Sequence, residues 1–275
     1  MNRLRTAFLA PSMVLLSILF LVPMGIVVSY SLLSRGAYGG VIQPFTLENY
    51  ARLADPLYLV ILARSVFYAG VATLICGLLG FPLALFIARS GKHKNLLLAL
   101  VVIPFWTSFL VRTYAWMFLL RDTGLINSTL QWMGIIGEPL PLLYNAFAVI
   151  LGLVYGYLPF MVLPIFTSLE KLDKAVLEAA ADLGARPHDA LLRVTIPLSM
   201  PGIRAGSLLV FISCLGAYLT PDLLGGGKTI MIGNLIQNQF TNARDWPFGA
   251  ALSLVLMAAV MLMLLPVLRR QEGAL

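Results

Sequence analysis

Six long stretches without a charged residue constrain this sequence of 275 residues more than any other feature. They cover residues 6–34, 65–88, 95–111, 139–169, 205–221 and 246–268, and the third continues to residue 120 beyond a single charge, Arg112. About 20 apolar residues suffice for a helix to cross the hydrocarbon core of a bilayer, whereas a membrane β-barrel needs alternating segments of about ten residues. We therefore predict an all-α polytopic membrane protein with six transmembrane helices.

Composition excludes several other classes of protein. Hydrophobic residues make up 60% of the chain and charged residues 11%, whereas soluble domains average about 45–50% and about 25%. The net charge of +7 comes from basic residues scattered at the ends of apolar stretches, so we expect no nucleic-acid partner. Cys76 and Cys214 lie inside apolar runs, and His93 and His188 are the only histidines. We therefore expect no metal site and no catalytic residue.

The distribution of lysine and arginine predicts the orientation. With a cytoplasmic N-terminus, the inner segments hold 12 of the 19 basic residues, and each inner loop is dense in positive charge. Both termini are therefore expected in the cytoplasm. The first apolar stretch is longer than the core of a signal peptide and no small-residue cleavage site follows it, so we expect it to remain as a membrane anchor.

One cytoplasmic segment, residues 170–202, is polar and by far the longest inner loop. Asp173 is a suitable cap for a short helix that stops at Gly184, and Pro187 and Pro197 are expected to begin and end a second helix. The first helix presents two carboxylates on one face, those of Glu178 and Asp182, with small alanines between them. A helix of this kind fits a groove of another protein, where an arginine would meet Glu178.

The spacing within this loop resembles a family signature. Glu178-Ala179-Ala180, then Gly184, then Val194-Thr195-Ile196-Pro197 is similar to the EAA motif of bacterial ABC-importer permeases, which reads E-A-A, three residues, G, nine residues, I-x-L-P. Val194 in place of isoleucine and Ile196 in place of leucine are conservative departures. The resemblance implies that Glu178, Ala179, Ala180, Asp182 and Gly184 couple the subunit to its ATPase.

Further motifs resemble the spermidine/putrescine-type permeases in particular. They are 103–106 (IPFW), 112–116 (RTYAW), 157–164 (YLPFMVLP), 223–226, 232–234 and 244–247 (RDWP). The resemblance implies the type I ABC-importer permease fold in the bacterial inner membrane. It also implies a second, homologous permease subunit, two cytoplasmic ATPase subunits that bind the ATP, and a soluble substrate-binding protein. The chain would then carry no cofactor and would not be an enzyme.

This resemblance also sets the expected domains. Residues 1–56 form the first transmembrane helix and outer loop, residues 57–270 form the permease transmembrane domain with the coupling loop 170–202, and residues 271–275 form a short cytoplasmic tail.

The solute is less constrained than the class of transporter. Arg112, Trp116, Tyr157 and Asp222 are candidate residues of the solute path, because buried charges and aromatic rings are suited to handle a polar solute. A polyamine would favour the aromatic rings and Asp222, whereas Arg112 would repel it. An opine, an amino-acid-like compound or a phosphonate is the alternative within the same class. An autonomous secondary transporter or channel is the alternative outside it, and the near absence of carboxylates within the apolar stretches argues against it.

Overall fold

The computed structural model describes residues 2–272. The helices in chain order are α1 (Asn2–Ser31), α2 (Glu48–Arg52), α3 (Pro56–Arg89), α4 (Lys94–Val102), α5 (Phe109–Leu120), α6 (Leu125–Trp132), α7 (Ala146–Glu170), α8 (Lys174–Asp182), α9 (Pro187–Ala190), α10 (Ile196–Leu215), α11 (Leu219–Gly225), α12 (Ile232–Thr241) and α13 (Trp246–Glu272). Two strands, β1 (Leu33–Arg35) and β2 (Val41–Phe45), form an antiparallel hairpin. Short 3₁₀ segments flank α4 at Gly91–His93 and Ile103–Trp106.

Within residues 2–272, five helices are long and apolar enough to cross a membrane, and a broken pair of helices supplies a sixth crossing if it is counted as one. The third predicted membrane helix is this broken pair. Segments 91–106 and 109–132 meet at an angle of 89°. Pro104 lacks a backbone N–H, and the backbone of Thr107 and Ser108 is extended, with ψ angles of 152° and 132°. The hydroxyl of Thr107 donates to the Pro104 carbonyl at 2.7 Å, which gives that carbonyl a partner at the break.

The prediction that Pro197 ends the second helix of the loop 170–202 is wrong. The chain passes from α9 through a π-helical turn, Leu191–Thr195, directly into α10. Proline is tolerated in the first turn of a helix, where its missing N–H removes no essential bond, and a π turn spaces its hydrogen bonds five residues apart. Pro197 occupies this first-turn position in α10. The end of the loop 170–202 is therefore a helical extension of the fifth predicted membrane helix, and the combined helix runs over Pro187–Leu215.

The described residues form two compact units, one with residues up to 60 and from 235 onward, and one with residues 61–234. In the first unit, the hairpin lies in the loop between α1 and α2. Arg52 forms an ion pair of 2.9 Å with the buried carboxylate of Asp245, and its guanidinium lies 4.0 Å from the ring centroid of Phe248. Arg35 donates to the carbonyl of Ala243 at 2.8 Å. These contacts connect the segment between α1 and α3 to the residues around the start of α13.

The second unit is built around α7, whose buried residues include Leu153, Met161 and Ile165. Small residues let other helices approach it closely. A Cβ atom on Gly206 of α10 would lie 2.9 Å from the Met161 sulfur, and one on Gly152 would lie 2.5 Å from a methyl carbon of Leu224 in α11. Such close packing of helices through glycine is characteristic of membrane bundles.

Candidate coupling loop and solute groove

The first helix of the loop 170–202 has the predicted structure. The Asp173 carboxylate accepts a hydrogen bond of 3.0 Å from the N–H of Ala175 and caps the N-terminus of α8. At the other end, Gly184 adopts φ +80°, and the N–H groups of Gly184 and Ala185 donate to the carbonyls of Ala181 and Ala180. Glycine favours this left-handed conformation because it has no Cβ atom. Local sequence signals therefore fix both ends of α8.

Solvent-facing side chains on α8 are free to contact another protein. Glu178 and Asp182 are exposed, and neither forms an ion pair in the part of the chain that the structure describes. Ala179 is also exposed, Ala180 is half-buried, and Leu183, just after the helix, is 89% exposed. A helix with two unpaired carboxylates, small alanines and an exposed leucine suits a shallow basic groove. Substitution of Glu178 or Asp182 would therefore remove no ion pair from the described part of the subunit.

A second candidate site lies where the third predicted membrane helix is broken. An open groove of about 580 Å³ is lined by residues of the break, of α5 and α7, and of the connection from α10 to α11. Its rings come from both sides of the break and from α7. Phe109 and Tyr157 stack with ring centroids 6.3 Å apart, and Tyr157 lies 6.2 Å from Phe160. A Cβ atom on Gly156 would approach the Phe109 ring to 3.0 Å, so this glycine permits the close approach of α5 to α7.

Among the residues that the structure describes, Arg112 is the only charged one that lines this groove. Its guanidinium carbon lies 4.3 Å from the ring centroid of Phe105 and 5.6 Å from that of Phe109, both within the range of cation–π attraction. Its Nε and Nη1 atoms are buried and have no hydrogen-bond partner among the described residues. The groove thus combines an aromatic wall with one unpaired cation and without a carboxylate.

The four residues predicted for the solute path are only partly brought together. Arg112 and Tyr157 both line the groove, whereas Trp116 lies beside it, in a small pocket that it shares with Arg112 and Tyr155. The rings of Trp116 and Tyr155 meet edge to face at 5.4 Å. Asp222 is exposed on α11 and does not line the groove.

Sequence reasoning missed part of the aromatic wall. Phe105, Phe109, Phe160 and Tyr218 line the groove but were not among the predicted path residues. The spacing of Phe109 and Arg112 by three residues was a usable signal, because such residues share a helix face and both lie on α5. Phe105 lies before the break at residues 107–108, so helical spacing does not predict its place in the groove.

Comparison with known proteins agrees with this architecture. The sequence model of the family described as "Binding-protein-dependent transport system inner membrane component" matches residues 80–271. The spermidine/putrescine transport system permease protein PotB of Escherichia coli K12 is 48% identical over 240 residues, which cover 87% of each chain. PotB of Haemophilus influenzae is 45% identical over 242 residues, with 86% of this chain and 85% of that protein covered.

A solved structure supports the fold independently. A chain in the crystal structure of a bacterial alginate ABC transporter, in complex with an alginate pentasaccharide-bound periplasmic protein, superposes with a TM-score of 0.74. The two chains are 17% identical, and the match covers 96% of this chain and 92% of the other. The predicted type I ABC-importer permease fold is confirmed.

The fold and the relatives define a multi-pass inner-membrane subunit of an ABC importer. More narrowly, this chain belongs to the family of binding-protein-dependent transport system inner membrane components. Membership implies a separate ATPase and a separate substrate-binding protein as partners. The chain is a transport subunit and not an enzyme, and membership in this family excludes an autonomous secondary transporter or channel.

Proposed function

We propose that this chain is the permease subunit of an importer for spermidine, putrescine or a closely related polyamine. The observation that carries the proposal is the identity of 48% over 240 residues with permeases named for spermidine and putrescine transport. The groove supports it chemically, because aromatic faces attract alkylammonium groups by cation–π interaction. Tyr157 and its neighbouring rings offer such faces without a carboxylate that would retain a polycation too tightly.

In this proposal, α8 is the element that receives force from the ATPase. ATP binding draws two ATPase subunits together, and each carries the coupling helix of the permease docked on it. The residues assigned to this contact are those of the signature, Glu178, Ala179, Ala180, Asp182 and Gly184. Movement of α8 passes across the turn at Gly184 into the helical path Pro187–Leu215, which continues as a membrane helix.

The proposed assembly contains a second, homologous permease subunit, two ATPase subunits and a substrate-binding protein on the outer side. ATP binds to the ATPase subunits, and this chain holds no cofactor of its own. Both termini and the loop 170–202 face the cytoplasm in this arrangement, as the distribution of basic residues predicts.

The solute is tested by reconstitution of the whole transporter with its binding protein in liposomes that contain ATP. We expect uptake of radiolabelled spermidine, inhibition by unlabelled putrescine, and no uptake when ATP is omitted. Absence of spermidine and putrescine uptake from an assembly that imports an opine, an amino-acid-like compound or a phosphonate would instead establish the alternative solute.

Orientation is tested by labelling single cysteines on intact cells. Cys76 and Cys214 are both buried and are first replaced by alanine. A cysteine at Asn242 should react with a membrane-impermeant thiol reagent, and a cysteine at Lys174 should react only after the cells are opened. The reverse pattern would contradict the proposed topology.

A further inference from the structure

The guanidinium of Arg112 occupies the position that a solute ammonium would need. Its carbon lies 4.3 Å from the Phe105 centroid and 5.6 Å from the Phe109 centroid, on the aromatic wall of the groove. Two cations on the same rings repel each other strongly in a medium of low dielectric constant. An incoming amine therefore binds these rings only after the guanidinium has left them.

The bonding of Arg112 indicates that it is able to leave. A buried arginine in a membrane segment is usually held by a carboxylate or by backbone carbonyls. Here Nε and Nη1 are buried without a hydrogen-bond partner in the described part of the chain, and the ring contacts are the attraction that remains. Displacement of the guanidinium therefore breaks no hydrogen bond, and rotation toward a hydrated region would satisfy its unpaired N–H groups.

The two rings that contact the Arg112 guanidinium lie on opposite sides of the break in the third membrane segment. Phe105 belongs to the 3₁₀ segment before the break, and Phe109 and Arg112 belong to α5 after it. A change in the angle at Thr107 and Ser108 would alter the distance between the guanidinium and the Phe105 ring. The contact is thus sensitive both to an arriving cation and to movement of the bundle.

We propose that Arg112 is a tethered cation that fills the aromatic amine site of the groove in the absence of solute and is displaced by the transported amine. The inference rests on the proposed polyamine function. It assigns Arg112 the role of an internal competitor, which keeps the groove from retaining free amines when no binding protein delivers them.

The test is equilibrium binding of radiolabelled spermidine to the complete transporter in nanodiscs, without ATP and without binding protein. The wild-type assembly should bind spermidine weakly. Arg112→Gln should bind it at least tenfold more tightly, and Arg112→Lys should remain weak because it keeps a tethered cation. Adding Phe105→Leu to Arg112→Gln should remove most of the gain, since the vacated ring is the proposed site.

A matched control lies directly after the same helix, at Arg121. The guanidinium of Arg121 lies 4.9 Å from the Phe118 centroid, but Arg121 does not line the groove. Arg121→Gln removes the same charge and the same kind of contact, and it should leave spermidine binding unchanged. If Arg112→Gln does not assemble, Arg112→Met provides a second neutral variant that keeps the apolar stem.

The outcomes separate this inference from the proposed function. If the wild-type transporter imports spermidine but Arg112→Gln and Arg112→Met bind it no more tightly, the inference is wrong and the polyamine function stands. A wild-type transporter that imports no polyamine would overturn the proposed function itself. An equal gain from Arg121→Gln would assign the effect to net charge and would also overturn the inference.

Discussion

The candidate coupling helix α8 and the broken segment from α4 to α5 belong to the same unit of the fold, yet their structures have different origins. α8 begins at Asp173 and turns at Gly184, as the local sequence predicts, and its surface faces solvent. The broken segment was predicted as one membrane helix, but it bends by 89° around residues 103–108. Its rings meet those of α7, which lie some 50 residues further along the chain.

This difference between α8 and the broken segment shows which structural features are determined by adjacent residues. A helix cap and a left-handed glycine are determined by a few adjacent residues, so they can be recognised without a fold. Whether a proline bends or breaks an apolar helix depends on what the neighbouring helices offer to the freed backbone groups. Pro104 and Pro197 illustrate this, because the helix breaks after the first and continues through the second.

The largest effect in this comparison is expected at Gly184. Gly184→Val should lower ATP-driven uptake about 100-fold, close to 2.7 kcal/mol in activation free energy, because a β-branched residue resists φ +80° and would displace the end of α8. Uptake and membrane insertion should be measured together. Gly134→Val is the matched control, because Gly134 has φ +68° and the same open surroundings outside the loop, and it should transport almost normally. Normal uptake by Gly184→Val would remove α8 from the coupling contact.

A smaller but still large loss is expected at Glu178. Because this carboxylate is exposed and unpaired in the subunit, Glu178→Lys should leave folding unchanged and place a like charge against a basic ATPase groove. Loss of one charged partner at a docked interface costs about 2 kcal/mol or more, so uptake should fall roughly 30-fold. Copurification of the ATPase should fall with it. Glu138→Lys, at another exposed acid, should lose neither property.

Asp222 tests whether the solute path extends beyond the groove. If the solute is cationic, Asp222→Asn should lower spermidine uptake about tenfold, since it removes one partly solvated ionic contact. The side chain is exposed on α11, so the effect should appear mainly as a higher KM for substrate-loaded binding protein. Asp122→Asn, another exposed carboxylate, is the control. An unchanged KM would confine amine handling to the aromatic groove.

The smallest effect is expected at the contact between the start of α4, in the broken segment, and the end of α7, which leads into the loop 170–202. Lys94 at the start of α4 forms an ion pair with Glu170 at the end of α7, and both side chains are more than one third exposed. Exposed pairs contribute about 1 kcal/mol or less. A double-mutant cycle with Lys94→Met and Glu170→Gln should therefore give a small coupling in the thermal stability of the solubilised subunit. Lys92→Met is the control, and a coupling well above this value would mean that the pair holds the two regions together.

Sequence analysis predicted the membrane helices well, because apolar length is set by the bilayer and not by the fold. It also predicted the cap and the terminal glycine of α8, since capping is a property of adjacent residues, and the coupling role of Glu178–Gly184 stays a prediction. It identified Arg112 and Tyr157 as candidates for the solute path, but it missed the partners that bring them together. Phe109 reaches α7 only because Gly156 leaves space there, and no local pattern predicts such a contact between helices.

The sequence alone therefore determined that this chain crosses a membrane repeatedly and presents a short acidic helix outside the bilayer. The length of a charge-free stretch and the capping of a helix depend on residues that are adjacent in the chain, so both can be predicted from the sequence. The tertiary structure alone decided that the third membrane segment breaks and that Arg112 lies unpaired on two aromatic rings. These features depend on the packing of α5, α7 and α11 against each other. The partners of a backbone group or a charge then come from residues far away in the chain, and local sequence patterns do not predict whether such a partner is present.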